Sequence, residues 1–256
     1  MLQRSLVDGI SQLVLDRPDS YNAINPELRD ELVDAFDGAF DEGARAIVVR
    51  GNGRGFCAGV DLKAEAAEYV GVEVEQYMNR STYRLARSVI NCRVPVVAAI
   101  HGACAGIGLT LSLGADVCVA GESARFIGAF MQRSLVPDGA AARLLPRIIG
   151  YSRAREFLLL GQTIEAQEAL SLRMVANVVP DAELVGTAQT VATEFTKMPT
   201  LTVGYTKQLL NRTFEFDLES FLFEERLIQG LVSTTSDKAE GVTAFREKRA
   251  PRYEGR

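Results

Sequence analysis

Short apolar runs rich in β-branched residues, each closed by proline or glycine, most constrain the fold of this chain. There are four of them: ISQLVLDRP (Ile10–Pro18), ARAIVVRG (Ala44–Gly51), VPVVAAIHG (Val94–Gly102) and DVCVAG (Asp116–Gly121). Their nearly continuous apolar character is typical of strands that are covered on both faces, as in a parallel sheet flanked by helices. The four runs therefore predict an α/β fold.

A helix is predicted between the first two runs. Asn25 is a typical N-cap residue, and Pro26 suits the first helical turn, where a missing N–H costs little. Apolar residues then recur every four positions, at Leu28, Leu32, Phe36 and Phe40. Such a stripe indicates a helix that packs one face against the sheet. A second helix is predicted over Glu73–Asn91.

From about Pro199 the sequence pattern is helical throughout. We expect residues 1–198 to form the α/β core and residues 199–256 to form a helical C-terminal region, with Ser236 as the N-cap of its last helix. Apolar side chains are dense in this region, at Phe221, Leu222, Phe223, Leu227, Ile228 and Leu231. So much apolar surface does not suit a free helical tail. It must pack on the core, on another subunit, or on both.

Composition and charge exclude several classes of protein. The 256 residues carry a net charge of −5 and scattered basic residues, so we expect no nucleic-acid partner. No apolar stretch reaches membrane-spanning length and the N-terminus has no signal-peptide core, which favours a cytoplasmic protein without membrane contact. The cysteines lack metal-ligand spacing and are predicted to be reduced core residues: Cys57, Cys92, Cys104 and Cys118. With His101 as the only histidine, no metal site is expected.

Two glycine segments are the candidates for chemistry. They are GRGFCAGVDLK (Gly53–Lys63) and HGACAGIGLTLSLGAD (His101–Asp116), and a buried helix is predicted to begin after Gly106 and Gly108, over the apolar residues Leu109–Leu113. A phosphate cradle would need a Lys-Ser or Lys-Thr pair or a GxGxxG spacing, and neither segment has one. An oxyanion hole needs only two backbone N–H groups that meet at one point, which these segments can supply.

Six motifs in the right order make the chain resemble the crotonase family, the enoyl-CoA hydratases and isomerases. They are LDRPDSYNAIN, RGFCAGVDLK, PVVAAIHGACAGIG, LVPDGAAARLLPRIIG, GQTIEAQEALSLRMVANVVP and EGVTAFREKRAPRYEGR. The resemblance implies a spiral of ββα repeats with a C-terminal helical region that assembles trimers or hexamers. It also implies an acyl-CoA or enoyl-CoA substrate and no cofactor, because CoA arrives as part of the substrate.

The resemblance also assigns roles to residues of the glycine segments. The oxyanion donors would be the backbone N–H groups of Val60 and Ile107, and Ile107 stands where relatives usually have glycine or alanine. This larger side chain is expected to narrow the acyl pocket. Substrate contacts are expected from Ala23, Ala58, Asp61, Leu62, Lys63, Gly106, Thr110, Phe130 and Lys248.

The acid–base residue is predicted to be Asp138. Typical hydratases of the family use two glutamates, and the matching positions here are Thr110 and Phe130, neither of which moves a proton at neutral pH. Asp138 stands where double-bond isomerases of the family keep an acid, and one carboxylate suffices to shift a proton. Asp138 could instead be a turn or N-cap residue. Asp61 is interpreted as an N-cap for the helix expected after it.

Three functions stay open from the sequence. The favoured one is an enoyl-CoA isomerase that works through Asp138. The second is another acyl-CoA reaction on the same scaffold, such as hydration, another lyase reaction or thioester hydrolysis. The third is a non-catalytic acyl-CoA-binding protein. A dehalogenase fits less well, because it needs a histidine and a tryptophan in the pocket and this chain has no tryptophan.

Overall fold

The computed structural model describes residues 1–64 and 71–255, which contain two β-sheets. Their strands are β1 (Leu2–Val7), β2 (Ile10–Leu15), β3 (Ala46–Gly51), β4 (Val96–Ile100), β5 (Ala103–Ala105), β6 (Val117–Gly121), β7 (Arg125–Ile127), β8 (Thr163–Glu165) and β9 (Asn177–Val179). The larger sheet has the order β1-β2-β3-β4-β6-β9 and is parallel except for the β1–β2 hairpin. The predicted α/β fold and its parallel sheet are confirmed.

Helices connect and cover the sheets. They are α1 (Pro26–Gly38), α2 (Val72–Arg80), α3 (Thr82–Ile90), α4 (Ile107–Leu113), α5 (Ala141–Ile149), α6 (Tyr151–Leu160), α7 (Ala166–Ser171), α8 (Leu184–Thr196), α9 (Thr200–Arg212), α10 (Leu218–Val232) and α11 (Ser236–Glu247). Short 3₁₀ helices span Pro18–Ser20, Met131–Arg133 and Asp181–Glu183.

Helix α1 begins as its sequence predicts. The Asn25 side chain accepts a hydrogen bond from the Leu28 N–H at 3.0 Å, and Pro26 is the first helical residue. Leu28, Leu32 and Phe36 are buried in the main core, and Phe40 packs half-buried against it. The stripe therefore covers one face of the sheet.

The single helix predicted over Glu73–Asn91 is wrong, because the chain breaks at Ser81 into α2 and α3. Ser81 has non-helical dihedral angles, with φ −106° and ψ −101°. None of the α2 side chains is buried, whereas α3 buries residues such as Leu85 and Val89 in the core that it shares with α1. The break thus separates a polar solvent-facing segment from one that packs.

The chain follows a spiral path, and successive repeats of the spiral place one strand in the large sheet and one in the small sheet. The chain runs β4–β5–α4 and then β6–β7–α5, with β4 and β6 in the large sheet and β5 and β7 in the small one. The segment after β3 runs alongside β5, with isolated β-bridges between Gly55 and Gly102 and between Cys57 and Cys104. The ββα spiral implied by the resemblance is confirmed, and it brings the two glycine segments side by side.

The C-terminal region is helical, as predicted, and an ion pair made by the buried Lys207 fixes α9 to the sheet. Lys207 Nζ lies 2.6 Å from Asp116 Oδ2 and donates to the Val94 carbonyl at 2.9 Å. The last helix begins one residue earlier than predicted. Thr235, not Ser236, is its N-cap, because the Thr235 hydroxyl accepts from the Lys238 N–H.

Helix α10 leaves much of its apolar surface open to solvent. Exposed side chains are Leu218, Leu222, Phe223, Leu227 and Leu231. Since the rest of the described chain does not cover them, packing on another subunit is the expectation that remains, and it stays a prediction.

Residues 1–64 and 71–255 hold no helix with both the length and the apolar character needed to traverse a lipid bilayer. Over the same residues, no three His, Cys, Asp or Glu side chains are grouped closely enough to bind a metal ion.

Candidate active site

The two glycine segments touch each other through their backbones at Gly59 and Gly106. Both have positive φ angles, +104° and +53°, which favour glycine. A Cβ atom on Gly106 would lie 3.2 Å from the Gly59 Cα, and one on Gly59 would lie 3.3 Å from the Ala105 carbonyl oxygen. The glycines therefore allow a close approach between the segments as well as an unusual backbone shape.

A short stretch of parallel pairing sets the register of the two segments. The Cys57 N–H donates to the Ala103 carbonyl at 3.0 Å, and the Ala105 N–H donates to the Cys57 carbonyl at 2.9 Å. Cys57 and Cys104 are thus bridge partners. Val60 lies three residues after the first partner and Ile107 three residues after the second, so both predicted donors lie at the same end of this pairing.

The backbone N–H groups of Val60 and Ile107 donate to no acceptor within the described residues. Ile24 bridges the first segment by donating to the Gly59 carbonyl at 2.8 Å and accepting from the Asp61 N–H at 2.9 Å, which leaves Val60 N–H unused. Ile107 is the first residue of α4, where an N–H has no intrahelical acceptor. Two unpaired donors on touching loops are what an oxyanion hole requires.

Helix α4 is packed directly onto the first glycine segment. All seven of its residues are buried. A Cβ atom on Gly108 would lie only 2.6 Å from the Cys57 carbonyl oxygen. Glycine at this position therefore lets the helix that starts with Ile107 come close to the strand that leads to Val60.

Asp138 lies next to a glycine that is fixed to α4. The Thr110 hydroxyl donates to the Gly139 carbonyl at 2.7 Å. Gly139 has φ +56°, and a Cβ atom on it would lie 2.9 Å from Ile107 Cδ1. The half-buried Asp138 is thereby held beside the helix that carries the second donor.

Asp138 does not act as the N-cap of α5. That helix begins at Ala141, and its N-cap residue is Ala140, with no capping hydrogen bond from its side chain. Asp138 contributes a turn instead, through a 3.0 Å hydrogen bond from the Ala141 N–H to its carbonyl. Of the two structural interpretations that the sequence left open, the turn is the one present.

Asp61 links the first glycine segment to the N-terminal part of the chain. Its Oδ2 lies 2.9 Å from Arg17 Nη2, and its Oδ1 accepts from the N–H groups of Lys63 at 3.2 Å and Ala64 at 3.3 Å. The hydrogen bond from Arg17 is the main reason that the pKa of Asp61 is lowered. The expectation that Asp61 caps a helix falls partly on residues 65–70, which lie outside the described residues.

The ion pair between Arg17 and Asp61 was not predicted from the sequence. Arg17 also donates a hydrogen bond to the carbonyl of Ala23, one of the predicted substrate contacts. The positive charge of Arg17 is therefore paired within the site. A charge pair between residues 44 positions apart leaves no local sequence signal.

The other predicted substrate contacts are distributed unevenly. Ala58, Leu62 and Lys63 are exposed on the first glycine segment, whereas Phe130 is buried. Lys248 is an exposed residue at the end of α11, and no hydrogen bond or ion pair of the described residues joins it to either glycine segment.

Thr110 and Gly106 differ in what they can offer a substrate. Gly106 lies half-buried at the contact between the segments, and its substrate contact stays a prediction. Thr110 has no exposed surface, and its hydroxyl proton is used by the Gly139 carbonyl. The geometry therefore does not support a direct substrate contact from the Thr110 hydroxyl.

The cysteines are free and buried, as predicted. Burial raises the pKa of the Cys57 thiol to about 12. At neutral pH Cys57 stays a thiol, so it is not a nucleophile even though it lies in the first glycine segment, three residues before Val60.

A comparison with known proteins finds relatives that match nearly the whole chain. Residues 6–256 match the family model described as enoyl-CoA hydratase/isomerase. The chain is 36% identical over 255 residues to the 1,2-epoxyphenylacetyl-CoA isomerase of Escherichia coli (strain K12), covering 97% of this chain and 96% of the relative. It is also 36% identical over 255 residues to a "Probable enoyl-CoA hydratase" of Rhodobacter capsulatus, covering 100% and 98%. The crystal structure of an enoyl-CoA hydratase from Mycobacterium smegmatis superimposes with a TM-score of 0.89 at 30% identity, covering 98% of both chains.

Proposed function

Because this chain belongs to the enoyl-CoA hydratase/isomerase family, we propose that it shifts the double bond of an enoyl-CoA thioester, with Asp138 as the acid–base residue. The observation that carries the proposal is the attachment of the Asp138–Gly139 turn to α4, the helix that begins with the unpaired N–H of Ile107. Acid and oxyanion donor are thereby held by one element.

The unpaired N–H groups of Val60 and Ile107 would hold the thioester oxygen. As the substrate loses a proton from the carbon next to the carbonyl, negative charge collects on this oxygen. Each preorganised donor of this kind typically lowers the barrier by about 3 kcal/mol. Gly59 and Gly106 support this role, because without Cβ atoms they let the two segments that carry the donors touch each other.

Asp138 would move the proton between two carbons of the substrate. Its carboxylate takes a proton from C2 of a 3-enoyl thioester, and the electrons of that C–H bond form a dienolate. The same carboxyl returns the proton to C4, which leaves a 2-enoyl thioester and restores the carboxylate. A single positioned carboxylate is sufficient for both steps.

Two residues disfavour hydration. A pair of carboxylates is the family's device for activating water, and the corresponding positions hold Thr110 and Phe130, which cannot act as acid and base. The buried Thr110 hydroxyl already donates to Gly139. Hydration of an enoyl-CoA is nevertheless the second candidate, since a relative described as a hydratase is as similar to this chain as the isomerase is.

The test compares the parent protein with Asp138→Asn and with Asp37→Asn, a matched change at an exposed position on α1. Each protein is incubated with 3-enoyl-CoA thioesters in deuterated water, and the conjugated product is followed by absorbance and mass spectrometry. We expect the parent and Asp37→Asn to form 2-enoyl-CoA, which carries deuterium at C4 to the extent that the Asp138 carboxyl exchanges its proton with solvent before returning it, and Asp138→Asn to be at least about a hundredfold slower.

Other outcomes select the other functions. If Asp138→Asn keeps the parental rate, Asp138 is not the base. A parent protein that instead adds water to 2-enoyl-CoA is a hydratase. Binding of acyl-CoA without proton exchange in any of the three proteins would favour the non-catalytic binder.

A further inference from the structure

The turn that carries Asp138 is attached to α4 by two side-chain contacts. Thr110 Oγ1 donates to the Gly139 carbonyl at 2.7 Å, and the Ile107 side chain reaches the same glycine. Within the described residues, no other hydrogen bond ends on the Gly139 carbonyl. The turn bond from the Ala141 N–H holds the Asp138 carbonyl, and the Thr110 and Ile107 side chains attach the next peptide, that of Gly139, to α4.

Gly139 needs such fixation because of its own conformational freedom. Its φ of +56° lies in a region that glycine enters and leaves easily. Because Thr110 has no exposed surface, water cannot replace its hydroxyl without a rearrangement of the turn. Loss of the hydroxyl would leave a buried carbonyl unpaired, and the turn would rotate to find another donor.

We propose that Thr110 is a positioning residue for Asp138: its hydroxyl fixes the turn so that the carboxylate stays at a constant distance from the N–H of Ile107. This inference rests on the proposed function. Ile107 and Thr110 lie three residues apart on one short buried helix. The acid and the oxyanion donor are thus both held by α4. A small change in the distance between them would slow the reaction strongly.

The test uses Thr110→Val, which removes the hydroxyl and keeps the β-branched shape, and Thr110→Ser, which keeps the hydroxyl. For isomerisation of 3-enoyl-CoA, we expect Thr110→Val to lower kcat by about 10- to 100-fold with KM within about threefold. Thr110→Ser should stay within about threefold of the parent in both constants. Thermal unfolding of each variant verifies that it is folded.

A double variant separates positioning from a structural role. In an Asp138→Asn background, measured by slow deuterium incorporation, Thr110→Val should change the residual rate by less than about twofold, because there is no carboxylate left to position. An equal loss in both backgrounds would overturn the proposal, since Thr110 would then act through the fold or the oxyanion donors. An unchanged kcat in Thr110→Val would overturn it as well.

Failure of the proposed function gives a different result. If Asp138→Asn alone retains the parental rate, the acid has been assigned wrongly, and with it the role of Thr110. If Asp138→Asn is inactive while Thr110→Val is fully active, the isomerase assignment stands and the positioning role is refuted. Should Thr110→Val fail to fold, Thr110→Cys, a smaller residue with a weaker donor, replaces it: a kcat loss intermediate between those of the parent and Asp138→Asn supports the proposal, and a parental kcat refutes it.

Discussion

Replacing Gly108 with alanine tests how closely α4 is packed onto the first glycine segment. The added Cβ would lie 2.6 Å from the Cys57 carbonyl oxygen and 2.9 Å from the Cys57 Cβ. These separations are roughly 0.5–1 Å below the ordinary contact range of about 3.5 Å. Because the Cys57 carbonyl oxygen and Cβ both move only with the backbone, α4 must move away from the segment that leads to Val60.

Helix propensity and packing predict opposite signs for this substitution. Alanine in a helix is favoured over glycine by about 0.5–1 kcal/mol, whereas overpacking a tight interior costs about 1–3 kcal/mol. We expect packing to dominate, with a net destabilisation of about 1–2 kcal/mol. For a chain of this size, this lowers Tm by roughly 2–8 °C.

The matched control is Gly186→Ala, in the first turn of α8, where an added Cβ meets nothing within 4 Å. This control should be slightly more stable than the parent. Differential scanning calorimetry and the isomerase assay are run on both variants, and Gly108→Ala should also lose at least about tenfold in kcat because the Ile107 N–H is displaced. A Gly108→Ala protein that is stabilised like Gly186→Ala and fully active would refute the tight contact.

Two further predictions concern the C-terminal region. The Arg249 side chain and the Arg252 N–H both donate to the Glu240 carboxylate and lower its pKa to about 2. The stabilisation of the fold by the ionised Glu240 should be complete above the unfolded-state pKa of about 4.3 and disappear as the pH falls toward 2. The Tm difference between the parent and Glu240→Gln should therefore close between pH 5 and pH 2, and a constant difference would contradict it. The exposed apolar face of α10 should be covered by other copies of the chain, so light scattering should give a trimeric or hexameric mass that Leu227→Ser reduces; a monomeric parent would exclude this.

Local signals in the sequence predicted those parts of the fold that are decided locally. Asn25 and Pro26 define the start of α1 because an N-cap acts within one turn. The strands were recognised because burial on both faces makes them apolar throughout. The break at Ser81 was missed, since it depends on which part of the segment packs against α1, and that partner lies some fifty residues away in the chain.

The candidate site shows the same division. The glycines of both segments indicated that two loops approach closely, and the resemblance supplied the roles of Val60 and Ile107. The contact between Thr110 and Gly139 spans 29 residues, and no periodicity or spacing links them. Only the spiral path of the chain brings them together, so a sequence alone gives Thr110 no evident structural role.

Ile107 carries a consequence for any attempt to change the size of the acyl group that the protein accepts. Its side chain supports Gly139, and the resemblance predicts that the same side chain narrows the acyl pocket beside its own N–H. Trimming Ile107 to alanine would widen the pocket and at the same time remove one of the two supports of the acidic turn. Variants at position 107 that are selected to accept bulkier acyl groups should therefore have a lower kcat. A side chain from another element that fills the vacated volume beside Gly139 would prevent this loss.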